Sequence, residues 1–316
     1  MNFNITKALN IFFQISILFL IASLLYSDDF QFNKIKKIFT KSSINILFLL
    51  ISLKILISFL FSYVTIIISK NNSFFVKISS IFLQGGIISS SIPALGLIYK
   101  YKKFNHELGI TLTEYSVSQS LATFLSILSY LVLAIIFGFL KIDKIFYLNI
   151  NLLYILVIFF LFILIYKFRK KFFYNNKLKK IYHEFSGIKK ILLIHYFKFL
   201  LIFIGYLIIS TLQCYAFYKA ILLFQYNLDF LTSSYIYISA SVVSILAMIN
   251  LIGLFELILS YTSSFFTQNY IEIIFVGFSF RLLNLAALFV STLVMYLFDK
   301  KNKKLKFVLS FFKLRE

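Results

Sequence analysis

The chain has 316 residues, of which 61% are hydrophobic and 14% charged, with a formal net charge of +21 and a mean hydropathy of +0.93. A soluble domain carries roughly 45–50% apolar residues, and a soluble core cannot absorb this excess, so an ordinary soluble fold is excluded and the surplus is assigned to lipid. In a soluble protein such a charge would suggest nucleic acid, but here the lysines stand in short runs between apolar blocks, as in loops beside an anionic leaflet, so no nucleic-acid partner is expected.

Nothing reads as a separate soluble domain, because no polar stretch exceeds about 25 residues, half the usual minimum. The expectation is therefore a single transmembrane domain over 1–316, all-α, with a basic tail at 300–316. Cys214 is the only cysteine, so no intrachain disulfide forms; in its apolar run it reads as a small core residue. The chain is rich in Ile, Phe, Lys and Asn and has one Pro and no Trp. This is the signature of an AT-rich genome, in which Lys-for-Arg replacement inside motifs is expected.

Crossing a bilayer takes about 20 apolar residues. Lys7 precedes the first block, 8–26, which is too long for the ~7–15-residue apolar core of a signal peptide and lacks a small-x-small cleavage site; it is read as the first span. Blocks 45–69, 115–140, 148–167, 191–222 and 272–298 are also read as full spans, giving about six. Blocks 74–99 and 232–267 are apolar but interrupted by polar, small or helix-breaking residues.

Lysine placement sets the topology. Segment 167–190 holds Arg169, Lys170, Lys171, Lys177, Lys179, Lys180, Lys189 and Lys190, and the tail holds Lys300, Lys301, Lys303, Lys304, Lys306, Lys313 and Arg315. Both are expected to be cytoplasmic, as is the cluster of Lys100, Lys102 and Lys103. An even number of crossings must then separate segment 167–190 from the tail. Block 232–267 thus enters and leaves on one side as a re-entrant hairpin, and the same parity makes 74–99 a second one. The linker 27–44 resists this scheme: it would lie outside although it holds Lys34, Lys36, Lys37 and Lys41. Re-entrant backbone is tolerated only where it is buried in protein or lines a wet cavity, so two hairpins imply a central cavity. They also suggest an inverted repeat of the kind transporters use, although the two halves share no clear sequence repeat.

The first hairpin contains Gln84, Gly85, Gly86, Ser89, Ser90, Ser91, Pro93, Gly96, Tyr99 and Lys100, with three of the nine glycines and the one proline. Pro and Gly break a helix and free backbone groups, which the serines can satisfy while lining a polar path. The alternative is a kinked, packed helix with small-residue contacts. The second hairpin contains Ser239, Ser241, Ser244, Asn250, Gly253 and Glu256. Glu256 is the only acid well inside an apolar block, and Arg281 the only arginine in one. An ionised carboxylate at the bilayer centre costs about 2.5 kcal/mol or more, and a Glu256–Arg281 pair is the simplest way to satisfy both. Such a pair either fixes helix packing or works in function. Lys198 and Lys219 lie near span ends and can snorkel; Lys54 is deeper.

No catalytic constellation is visible. His106, His183 and His195 have no metal-ligand spacing to an acid or to Cys214. There is no phosphate-binding Gly-rich loop, no close carboxylate pair and no nucleophile elbow. No enzymatic activity, metal or cofactor is expected, and the serine runs read as polar linings.

The order of these features resembles the flippase-like transmembrane family typified by the membrane domain of lysylphosphatidylglycerol synthases. Its first motif runs Asn-x-x-x-Pro-x-x-x-Gly-Glu-x-x-Arg. Pro93, Gly96 and Lys100 look like its Pro, Gly and basic positions, with Leu97 in place of the acid. Gly109-Ile110-Thr111 is similar to the turn that follows, and Glu114-Tyr115 opens the next helix. The second motif, Asn/Pro-Gly-x-Gly-x-Arg-Glu, is matched by Asn250, Gly253 and Glu256, with Leu251 replacing a Gly and Phe255 the Arg; Arg281 looks like the later arginine. The resemblance covers roughly 10–300, and the chain has no soluble aminoacyl-transferase domain.

What the resemblance implies is a stand-alone member in the bacterial cytoplasmic (inner) membrane. It would translocate a phospholipid or a polyprenyl-phosphate-linked sugar in envelope or cell-surface polysaccharide biogenesis. Lys100 and Arg281 would supply positive charge, Glu256 would orient Arg281 or exchange a proton, and Ser89, Ser90, Ser91, Ser239, Ser241 and Ser244 would line the path. The alternative is a non-transporting scaffold that holds a glycosyltransferase or polysaccharide-assembly partner through the basic segment 167–190, whose Phe172, Phe173 and Tyr174 suit an interfacial position. A membrane-embedded transferase is disfavoured by the missing acid–base pair.

Overall fold

A computed structural model describes residues 41–69, 74–91, 93–140, 195–246, 254–267 and 270–301. The described residues form helices and short connections, with no strand. The helices are α1 (Lys41–Ser69), α2 (Phe75–Ser91), α3 (Pro93–Leu108), α4 (Leu112–Leu140), α5 (Tyr196–Leu223), α6 (Phe230–Leu246), α7 (Leu254–Ser263) and α8 (Tyr270–Lys301). Four of them, α1, α4, α5 and α8, carry stretches long and apolar enough to cross a membrane: Ser43–Ser69, Leu112–Gly138, Tyr196–Leu223 and Ile273–Asp299. The protein is a multi-pass membrane protein. These four correspond to the expected spans 45–69, 115–140, 191–222 and 272–298; the expected spans 8–26 and 148–167 lie outside the described residues, as do segment 167–190 and most of the tail.

The other helices are short. At 1.5 Å per residue, the 17 residues of α2 and of α6 reach about 25 Å, less than the ~30 Å hydrocarbon core. One helix ends at Ser91 and the next begins at Pro93, and the two arms pack on each other. Pro93 is the first residue of α3, where its missing N–H costs nothing and its fixed φ suits the helix. The hairpin is longer than the expected 74–99. Its second arm continues to Leu108 because the interval 100–108, although rich in charge, stays amphipathic. It ends at Gly109, whose φ of +67° lets its N–H reach the Asn105 carbonyl at 3.0 Å as a left-handed cap. Thr111 and Glu114 then start α4 as a reciprocal capping box: the Thr111 N–H donates to Glu114 Oε2 at 2.8 Å, and the Glu114 N–H to Thr111 Oγ1 at 3.3 Å. The sequence motif Gly109-Ile110-Thr111 is thus a turn, as expected. In the second half, α6 packs against α7; the connection between them, 247–253, lies outside the described residues.

Side-chain contacts fix the direction of each helix. Ser62 Oγ meets Ser79 Oγ at 2.6 Å and Phe61 stacks on Phe82 at 4.3 Å, so α1 and α2 are antiparallel. Ser129 meets Ser210 at 2.7 Å, and Phe137 and Tyr218 both close on Phe230 at 5.8 and 5.7 Å; α4 and α5 are therefore parallel. Gly86 of α2 faces Leu288 of α8, and Asp299 lies within electrostatic reach of Lys77 and Glu107. Hence α8 is antiparallel to α2 and runs with α1.

The buried core divides accordingly. One part joins the end of α1 and the starts of α4 and α5 to α2 and α3. The other joins the start of α1 and the ends of α4 and α5 to α6, α7 and α8. The two short-helix hairpins therefore sit toward opposite ends of the bundle. The order long helix, hairpin, long helix occurs twice, α1–α4 and then α5–α8, with the second set reversed in direction.

Candidate functional site

The α2–α3 hairpin is held by small residues facing long ones. Gly85 lies against the aliphatic chain of Lys100, so close that a Cβ there would stand 2.2 Å from Lys100 Cγ. Gly96 lies against Ser89: a Cβ on it would be 1.8 Å from Ser89 Oγ and 2.6 Å from the Gly85 carbonyl oxygen. Two turns of backbone are in direct contact, and only glycine permits it. Tyr99 donates to Gln84 Oε1 at 2.6 Å across the same seam, and Gln84 donates in turn to Ser80 Oγ at 3.1 Å. At the hairpin base, Glu107 bonds to Lys77 at 3.1 Å and to Lys103 at 2.6 Å. The hydrogen bond from Lys103, together with Lys77, holds the Glu107 carboxyl below its ordinary range despite some desolvation.

Lys100 departs from expectation. Lysine counting treats it as a cytoplasmic surface charge beside Lys102 and Lys103. In the fold it is 6% exposed, with its Nζ 4.7 Å from the centre of the Phe82 ring. The helix turns Lys100 toward α2, and the Gly85 notch admits its chain. It belongs to the interior rather than to the loop charge that orients the protein.

The serines are less uniform than a path lining requires. Ser90 Oγ donates to the Ile87 carbonyl of its own helix at 2.6 Å, and Ser239 Oγ to the Tyr235 carbonyl at 2.9 Å. Ser89 is half-buried against Gly96. Ser241 is buried, and Ser244 Oγ is buried with no hydrogen-bond partner among the described residues. Ser91 and Pro93 lie on either side of the break.

Glu256 and Arg281 are brought together as the sequence implies. Glu256 stands in the first turn of α7, at the positive end of that helix, and is 1% exposed. Arg281 Nη1, from α8, donates to its Oε1 at 3.3 Å and its Oε2 at 3.1 Å. Gly277, one turn before Arg281, gives α7 room to approach: a Cβ there would be 2.5 Å from Leu259 Cδ1 and 3.6 Å from Glu256 Cγ. Asn250 and Gly253 of the same motif lie outside the described residues.

A third polar group was not visible in the sequence. Tyr130 of α4 hydrogen-bonds to Gln213 of α5, with Tyr237 and Ser241 of α6 completing the group. Its edge is aromatic: Tyr237 meets Phe255 at 5.9 Å and Phe280 at 5.7 Å. Phe255 precedes Glu256 and Phe280 precedes Arg281, so this network abuts the ion pair. Gln84 and Gln213, two of the uncharged amides within apolar blocks, were the signals that could have found these contacts. Comparison with known protein families, curated proteins and solved structures yields no match.

Proposed function

We propose that the protein is a translocase for a phospholipid or polyprenyl-linked lipid in a bacterial cytoplasmic membrane. In this reading it has about six spans and two re-entrant hairpins, with segment 167–190 and the basic tail cytoplasmic. One observation carries the reading: the hairpins sit toward opposite ends of the bundle, and each brings an ionisable group into the apolar interior, Lys100 in the first and Glu256 in the second. Buried charge inside a membrane bundle is costly to keep and marks a substrate or ion pathway far more often than a scaffold. Broken helices meeting near mid-depth also offer backbone dipoles to an anionic headgroup. The Glu256–Arg281 pair suits a gate that opens when a headgroup phosphate competes for the guanidinium. The resemblance to the flippase-like transmembrane family points the same way.

The test is headgroup accessibility in proteoliposomes carrying labelled phosphatidylglycerol or polyprenyl-phosphate sugars. Wild type is expected to move one class well above empty liposomes, with at least a tenfold loss in both Glu256→Gln and Arg281→Gln. A folded wild type that moves neither class overturns the proposal in favour of a scaffold. Unchanged turnover in Glu256→Gln removes proton exchange from the mechanism.

A further inference from the structure

Gln119 Oε1 on α4 and Ser244 Oγ on α6 are both buried, and neither has a hydrogen-bond partner among the described residues. A buried polar atom left unpaired is costly, and native folds keep few of them. Two in one place call for a guest that supplies the missing hydrogen bonds.

Helix register puts them in one place. Phe137 of α4 meets Phe230 of α6 at 5.8 Å, and seven residues back along α4 and forward along α6, Tyr130 meets Tyr237 at 6.2 Å. The two helices are therefore antiparallel. Seven residues are about two turns, so the next step of the same pairing sets Thr123 level with Ser244, and Ser126 level with Ser241 between. Gln119 stands one turn beyond Thr123, and its Nε2 donates to Thr123 Oγ1 at 3.5 Å. Spacings of four, three and four residues keep Gln119, Thr123, Ser126 and Tyr130 on one face of α4, the face that Tyr130 and Phe137 turn to α6. On one side of that face Ala122, Leu125 and Ser129 are closed into the core. On the other, Phe124 is 51% exposed, so the seam lies between the core and the lipid.

The chemistry of the seam is neutral. α4 carries one charged residue, Glu114 in its first turn, and α6 carries none. What faces the seam is amide, hydroxyl and the rings of Tyr130 and Tyr237. Such side chains exchange hydrogen bonds with a polyhydroxylated group and lay an aromatic face against it, but they offer nothing to neutralise a phosphate. The charge stands at the Tyr237 end, where Phe255 and Phe280 touch that ring next to Glu256 and Arg281.

We propose that the α4–α6 seam, from Gln119 to Tyr237, is a site for the sugar of a glycolipid, so that the lipid handled carries a sugar headgroup rather than glycerol alone. Sugar hydroxyls satisfy Gln119 Oε1 and Ser244 Oγ, and a phosphate joined to that sugar meets Arg281. This deepens the translocase reading and rests on it for the biological role, but the binding test requires no lipid movement. Glycolipid binding without transport sinks the translocase reading alone; transport without a sugar preference sinks this site alone.

The probe is glucosyldiacylglycerol, which has a sugar and no charge. The full chain is placed in phosphatidylcholine nanodiscs holding equal amounts of glucosyldiacylglycerol, phosphatidylglycerol and diacylglycerol, and the lipids that stay bound are counted by native mass spectrometry. Wild type is expected to retain the glycolipid at least tenfold over the other two. Gln119→Leu combined with Ser244→Ala should cut that enrichment at least fivefold, while the thermal midpoint stays level or rises, because each change removes a buried unpaired polar atom. Ser52→Ala, at an exposed hydroxyl of α1 bonded to its own backbone, should keep the enrichment. Equal retention of the three lipids by wild type overturns the proposal without relying on any variant. So does an enrichment that survives in the folded double variant. Phosphatidylglycerol retained as well as the glycolipid overturns the sugar assignment.

Discussion

Replacing Gly96 with alanine is expected to destabilise the folded protein by about 3 kcal/mol or more, the top of the range for overpacking or beyond it. Small-to-large changes in a core usually cost about 1–3 kcal/mol because neighbouring side chains can move aside. Here, two of the three atoms in the way are backbone: the Gly85 carbonyl oxygen and the Ser89 nitrogen, each 2.6 Å from the new Cβ. Neither can rotate away, so α2 and α3 must separate along their seam. That separation would also break the Tyr99–Gln84 bond and lift Lys100 out of the Gly85 notch. Gly86→Ala is the matched control. Its nearest neighbour is Leu288 Cδ1 at 3.3 Å, the end of a flexible side chain, and its cost should stay below about 1 kcal/mol. The protein carries its own reporter, because Cys214 is the only cysteine and is fully buried. A thiol-reactive dye in a thermal ramp reads unfolding directly. Gly96→Ala should shift the midpoint down by roughly 6 °C or more, and Gly86→Ala by no more than a few degrees. Equal midpoints for the two variants would mean that the hairpin seam is not as close as described.

The second large effect is expected at Glu256. Truncating it to alanine leaves Arg281 without its carboxylate beside the Tyr237–Phe280 aromatic edge. Removing one partner of a buried ion pair costs about 3–5 kcal/mol. Removing both charges together, as in Glu256→Gln with Arg281→Met, should recover most of that loss, because a pair replaced by neutral groups of similar size is often neutral in stability. The same dye assay measures the cycle. A double variant as unstable as Glu256→Ala would show that the guanidinium is held by something other than Glu256, and would remove the pair from the proposed gate.

The long helices and the ion pair were legible in the sequence for different reasons. A membrane span needs only length and apolarity, so 45–69, 115–140, 191–222 and 272–298 fall within a few residues of α1, α4, α5 and α8. Glu256 and Arg281 were legible because Glu256 is the only acid well inside an apolar block and Arg281 the only arginine in one, and two isolated buried charges of opposite sign leave one economical solution. The break at Pro93 was legible from helix chemistry.

What could not be read depends on which face of a helix meets which neighbour. Hydropathy cannot tell an amphipathic arm from a charged loop, so 100–108 was assigned to the loop side and Lys100 was counted as surface. Its burial requires Gly85 opposite it, a fact of hairpin register. The Tyr130–Gln213 and Tyr99–Gln84 bonds likewise join residues whose meeting depends on packing. The serines mislead for a local reason: in an apolar helix a hydroxyl can bond its own backbone, as Ser90 and Ser239 do. The repeated order of long and short helices shows in the sequence only as two interrupted apolar blocks, 74–99 and 232–267, and not as a repeated residue pattern, because apolarity rather than particular residues specifies most of each element.

The central claim is that two helical hairpins open on opposite faces of the membrane. It can be tested in a Cys214→Ala background with single cysteines at His106, exposed at the base of the first hairpin, and at Asn227, exposed between α5 and α6, using an impermeant maleimide on sealed right-side-out and inverted vesicles. The account predicts that the cysteine at 106 labels only in inverted vesicles and the one at 227 only in right-side-out vesicles. Labelling of both positions from the same face would contradict it.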